Sequence, residues 1–139
     1  MVAKIDNEPE FWISQGDVLQ GVLKLQKAFD ELRAQGITGR QDFSCCNSCG
    51  HHDIKKEMKF EGTDGYTFYN GQATDQMFDS GTVMLQFGGG HKTFTEADDP
   101  EQEVGRKIVE AIEKQGLQTK WNGDAGRSIE VVVAEKLDC

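Results

Sequence analysis

Residues 99–133 read DPEQEVGRKIVEAIEKQGLQTKWNGDAGRSIEVVV, and this stretch decides the fold class. Asp99 ahead of Pro100 gives a capping acid followed by a proline at the first helical position, where a missing N–H costs nothing, with Gln102 two residues on. Val104, Ile108, Ala111 and Ile112 recur at helical spacing, so one apolar stripe faces a core. Glu103 and Lys107, like Glu110 and Lys114, stand four apart and predict favourable pairs on the solvent face. Gly116 ends the helix, and from Leu117 the period changes to two. Leu117, Thr119 and Trp121 alternate, Asn122-Gly123-Asp124-Ala125-Gly126 turns the chain, and Ile129, Val131 and Val133 alternate again. Two short strands around a glycine-bearing loop predict a hairpin.

Upstream, Val18, Val22, Leu25, Phe29 and Leu32 form a second helical stripe, opened by Ser14 with Asp17 three residues on and closed by Gly36. Ile13 packing on Val18, with Phe11 and Trp12 docked on the body, is the expectation for the segment before the cap. A short strand ends near Phe43 and Ser44, and Ile54 to Phe60 reads as a short helix. Tyr66 to Tyr69 is β-prone. Residues 70–81 read as a connection with a helical turn at Asp75 to Phe78. Val83, Leu85 and Phe87 alternate with Thr82, Met84 and Gln86 as a further strand, stopped by Gly88-Gly89-Gly90.

Strands joined by both hairpins and helices predict an α+β fold: one domain over 1–139, with 1–10 a loose N-terminus and 135–139 a tail. Its sheet is mainly antiparallel with about five strands, and two long helices and one short helix pack on one face. The 139 residues are enough for one core without staples.

The balance of 15 bases against 24 acids gives a formal charge of −9. That excludes a general affinity for nucleic acid, which needs a basic patch to displace counterions. No apolar run approaches the roughly 20 residues of a membrane span, and the start, MVAKIDNEPE, is charged where a signal peptide is apolar. The expectation is a cytoplasmic protein, whose four cysteines are thiols or metal ligands rather than disulfides. Glu96, Asp98, Asp99, Glu101 and Glu103 form the densest acidic block. It reads as helix-start chemistry on a solvated face, or as a surface for a divalent ion or basic partner.

Cys45-Cys46-Asn47-Ser48-Cys49-Gly50-His51-His52 is the one chemical motif. Cys46 and Cys49 have the spacing of a metal knuckle, with Gly50 freeing the backbone to fold around the sulfurs and His51 or His52 adding ligands. Zinc is the expected ion. No second pair follows downstream; His91 and Cys139 stand alone. The alternative is thiol redox chemistry, with Cys46 as exposed nucleophile and Cys49 as resolving thiol at the start of a helix, whose dipole favours thiolate. Because side chains alternate in an extended segment, Cys45 is expected to point inward as a small hydrophobe. A third reading is an acidic interaction protein, of the immunity type, that binds a basic partner. No residue pattern marks a catalytic triad, a phosphate loop or a nucleotide fingerprint.

The run Asp42-Phe43-Ser44-Cys45-Cys46-Asn47-Ser48-Cys49-Gly50, then Gly65-Tyr66-Thr67-Phe68-Tyr69, Gly116-Leu117 and Trp121-Asn122-Gly123 resembles a family of uncharacterised bacterial proteins, a domain of unknown function marked by a D-F-x-C-C-x-x-C-G block. The resemblance spans about residues 15–134. It implies a single cytosolic domain and makes the cysteine block its hallmark, and it implies no activity.

Overall fold

A computed structural model describes residues 14–134. The readings placed on Phe11, Trp12, Ile13 and Cys139 lie outside these residues. The elements run α1 (Gln15–Ala34), β1 (Ile37–Arg40), α2 (Asn47–Glu61), β2 (Gly65–Phe68), α3 (Gly71–Ser80), β3 (Thr82–Gly89), α4 (Pro100–Lys114), β4 (Gln118–Lys120) and β5 (Ile129–Val132). The five strands lie in the order β1-β2-β3-β5-β4, with β1 and β2 parallel and every other pair antiparallel. The fold is α+β, as the change of period at Gly116 predicts.

Local chemistry accounts for the helix ends. Ser14 Oγ accepts the Asp17 N–H at 3.3 Å, and Asp99 Oδ1 accepts that of Gln102 at 3.2 Å. Gly36 follows α1 at φ +91°, a conformation a Cβ would oppose. The ion pairs of α4 differ from the i, i+4 expectation: Glu103 meets Arg106, Lys107 meets Glu110, and Lys114 reaches across to Glu31 of α1. Rotamers that reach α1 or the next turn compete with the simple ladder.

Alternation divides the sheet into two faces. Ile37, Val83, Leu85, Ile129 and Val131 point to the face packed by α1 and α4, and all are at most 2% exposed. Gly39 permits the closest approach there, since a Cβ on it would come within 2.4 Å of the Phe29 ring. Thr38, Arg40, Tyr66 and Phe68 point to the opposite face, where α2 lies. Helices therefore cover both faces, against the one-face expectation. The physical reason is the parallel β1–β2 pair, which no tight turn can join and which α2 bridges as a crossover.

Residues 70–81 form a full ten-residue helix rather than one turn. Asn70 Oδ1 caps it by accepting the Ala73 N–H at 2.9 Å, and Gly81 closes it at φ +80°. α3 packs beside β3 where β2 has already ended, since the last β2–β3 pair is Phe68 with Gln86. Its one buried residue, Met77, joins the core. α2 is likewise longer than the apolar spacing of Ile54 and Met58 suggested, because its first turn carries the polar cysteine block. Among the described residues, no helix is long and apolar enough to cross a membrane.

Candidate functional site

The cysteine block links β1 to α2 through a bend that few residues tolerate. Asp42 and Ser44 hold positive φ, 53° and 69°, the only non-glycine residues among those described to do so. Asp42 is held by Thr74 Oγ1, which donates to its Oδ1 at 2.7 Å. Between them, Phe43 donates its N–H to Tyr69 O at 2.8 Å and sets its ring edge-on to Phe68. Ser44 O accepts the Gly71 N–H at 3.2 Å, and Ser44 Oγ donates to Asp53 Oδ2 at 3.3 Å. The chain thus turns twice before it reaches the sulfurs.

Those turns decide where the cysteines go. β1 stops at Arg40, so Cys45 and Cys46 do not belong to a strand and do not alternate across a sheet. Cys45 is exposed, Cys46 half-buried and Cys49 exposed, so the expectation of an inward Cys45 is corrected. All three sulfurs lie within 4.8 Å of one another. No disulfide joins them.

Cys46 is the N-cap of α2 in extended conformation, and no side-chain hydrogen bond closes the cap. The free amides of the first turn are therefore open to charge on sulfur. The backbone N–H of Cys49, then the Cys49 thiol, draw the Cys46 thiol below the ordinary cysteine range. Cys49 moves the other way, to about 11, because it hydrogen-bonds to the Cys46 and Cys45 sulfurs and stands beside their charge. Proton and charge are split: Cys46 ionises first, and Cys49 keeps its proton for it.

The two histidines part company. His51 turns inward, its Nδ1 2.6 Å from Tyr66 Oη and its ring edge-on to Tyr66 and Phe68. Burial, with the charge of Glu101, pushes the Tyr66 phenol up. His52 is exposed on the outer side of α2. Neither imidazole belongs to the close group of sulfurs. Cys45, assigned to the core by sequence reasoning, is the third member instead.

Gly50 has a different purpose from the one its place after Cys49 suggests. It is a helical residue without positive φ, and a Cβ on it would stand 2.3 Å from Phe68 Cε1. Its bare backbone lets the first turn of α2 rest on the β2 aromatic. Asn70 completes the platform: its amide donates to Asn47 Oδ1 at 2.8 Å while its oxygen caps α3, so one buried side chain ties the starts of two helices together. The signal for Asn70 was present as Asn70-Gly71 after a strand, a pattern that also fits a turn.

No curated protein and no solved structure matches the chain. A family model does, over residues 5–135, and it contains the whole platform and all three clustered sulfurs. The chain belongs to the family described as Domain of unknown function (DUF6891).

Proposed function

We propose that Cys45, Cys46 and Cys49 bind one soft metal ion, zinc being the ion expected of the cytoplasm, in a binding or accessory protein. The observation that carries this reading is the convergence of three sulfurs within 4.8 Å, two on exposed residues and one on a half-buried residue. A zinc–sulfur bond of about 2.3 Å in tetrahedral geometry puts sulfurs about 3.8 Å apart, so closure on the ion needs only a small contraction. Thiolates suit d10 ions by softness and charge. The amides at the start of α2 offset the negative charge of three thiolates. His52 follows Cys49 by three residues on the same side of the helix and is the imidazole for the fourth position. His51 is committed to Tyr66.

The test is cobalt titration of chelator-stripped protein, read by the thiolate-to-cobalt charge-transfer band, with zinc displacement following. One ion per chain is expected. Cys46→Ser and Cys49→Ser abolish tight binding, Cys45→Ser weakens it at least tenfold, and His51→Ala leaves the stoichiometry unchanged. Absence of a saturable band, or a band untouched by Cys45→Ser, overturns the three-thiolate site.

A second reading rests on the opposite thiol shifts of Cys46 and Cys49 at a helix start. In it the Cys46 thiolate attacks a disulfide of a partner, forming a mixed disulfide and releasing one partner thiolate. Cys49 then gives up its proton and displaces the second partner sulfur, so two electrons pass from the dithiol to the partner. Cys45 exchanges no bond in that sequence and acts only through its contact with the other two thiols. Metal-free Cys45→Ser protein therefore still reduces a model aromatic disulfide to completion under this reading, forming a Cys46–Cys49 disulfide, while losing metal affinity under the first.

A further inference from the structure

The sheet face that carries α2 is only half covered. Beyond α2 it opens into two adjoining hollows of about 310 and 160 Å³ that share Gln86 and Ser128 as a common wall. Gln86 Nε2 donates to Ser128 Oγ at 2.8 Å along this ridge, leaving Gln86 Oε1 available. The larger hollow is walled by Asn47 of α2 and by Gln72 and Gln76 of α3. The smaller is walled by His51 and Arg127.

Two features distinguish this surface. In a chain of 24 acids and 15 bases, neither hollow is lined by a single carboxylate. Its charge comes from Arg127, whose guanidinium enters none of the ion pairs formed among the described residues. Its remaining polar groups are mostly primary amides: the side chains of Gln72 and Gln76 enter no hydrogen bond among the described residues, Gln86 keeps its oxygen, and Asn47 keeps its N–H donors. Free amide donors and acceptors along a cleft are the complement of an extended peptide backbone, and a guanidinium is the complement of a carboxylate.

We propose that these hollows bind the free C-terminus of an extended peptide, with the terminal carboxylate at Arg127 and the backbone amides against Asn47, Gln72, Gln76 and Gln86. Charge complementarity favours this occupant over a neutral chain segment, since the one permanently charged side chain lining the hollows is the Arg127 cation. The site does not depend on metal or thiol chemistry at the cysteines. Metal-free protein with all three clustered cysteines alkylated retains it.

The experiment is titration of ¹⁵N-labelled protein with acetyl-tetraalanine as the free acid, with the same peptide as its C-terminal amide, and with sodium acetate. The free acid is expected to shift the side-chain amide signals of Asn47, Gln72, Gln76 and Gln86 in a saturable manner. The C-terminal amide binds at least tenfold more weakly. Arg127→Gln, at an exposed side chain, removes that difference while the weaker amide-signal shifts persist. Acetate alone leaves Gln72 and Gln76 unmoved. Three results overturn the proposal: acetate reproducing the whole pattern, equal affinity for acid and amide, or no saturable shift up to about 10 mM peptide, beyond which affinity carries no specificity.

Discussion

Gly50→Ala tests whether the cysteine turn is held by aromatic packing. Helix propensity alone predicts a gain, since alanine is favoured over glycine inside a helix by about 1 kcal/mol. The packing predicts the reverse. The new Cβ would lie 2.3 Å from Phe68 Cε1 and 2.5 Å from Cζ, where carbon atoms rest at about 3.5–4.0 Å. Relief requires ring and helix to part by more than an ångström. Phe68 cannot swing aside, being fully buried and bounded by Phe43, His51 and Tyr66 at centroid distances of 5.9, 5.1 and 6.1 Å. Overpacking of this kind costs about 3 kcal/mol at the upper end of its range. Net of propensity, the loss is about 2 kcal/mol, or roughly 8 °C in Tm for a chain of this size. Thermal and urea unfolding measure it, with Gly16→Ala as control, because a Cβ there meets nothing nearer than Ser14 Oγ at 3.7 Å. Adding Phe68→Leu to Gly50→Ala should recover part of the loss, a coupling the double-mutant cycle isolates. If Gly50→Ala melts higher than the wild type, as Gly16→Ala is expected to, the packing argument is wrong.

Three further outcomes follow from the same geometry. Burial raises the Glu61 carboxyl, but hydrogen bonds from Arg40 and Thr38 outweigh it and leave the group below the usual carboxylate range. Its contribution is therefore complete above the unfolded value of about 4.3 and is lost as pH falls through the lower folded value. Glu61→Gln should cost about 2 kcal/mol at neutral pH in urea unfolding and less as acid is added; a pH-independent difference refutes the charge assignment. In metal-free protein, iodoacetamide should label Cys46 with a rate that levels off below the pH of an ordinary cysteine. Cys49 should stay slow until the pH nears its value of about 11, and peptide mapping that finds Cys49 labelled first sinks the assignment. Asn70→Ala removes the cap of α3 and the tie to Asn47, an expected loss of about 2 kcal/mol, whereas Asn47→Ala, with only the tie removed, should lose less.

The elements with a single strong periodicity were legible, and those fixed by long-range pairing were not. α1 and α4 each carry a cap, a stripe and a stop within their own span, and Ser14 and Asp99 act as their sequence predicts. The sequence of α3 resembles a connection because its cap, Asn70, and its terminator, Gly81, also suit turns, and only Met77 is buried in its ten residues. The side of the sheet taken by α2 follows from the β1–β2 pairing, which no local pattern encodes. The site was legible as a motif and misread in its parts. Alternation placed Cys45 inside on the premise of a strand, while left-handed Asp42 and Ser44 had already ended it. The place of Gly50 after Cys49 suggests service to the sulfurs, whereas its contact lies with Phe68, eighteen positions away.

The non-cysteine positions of the block supply the strongest argument that its thiols serve chemistry rather than packing. Phe43 and Gly50 are spent on Phe68, Asp42 on Thr74, Ser44 on Asp53, and Asn47 on Asn70. Each contact fixes the backbone that carries a sulfur, and two of them do so at residues holding positive φ. Free cysteine is among the residue types most often buried, and a turn stabilised by its cysteines would turn them inward. Here the supporting atoms are inside, with Phe68 fully buried and Asn70 only 7% exposed, and the sulfurs of Cys45 and Cys49 face solvent. Exposed thiols add no packing to the fold. Under the proposed metal site, a scaffold that holds two exposed thiols and a half-buried one together at an uncapped helix start is arranged around what those sulfurs meet in solution.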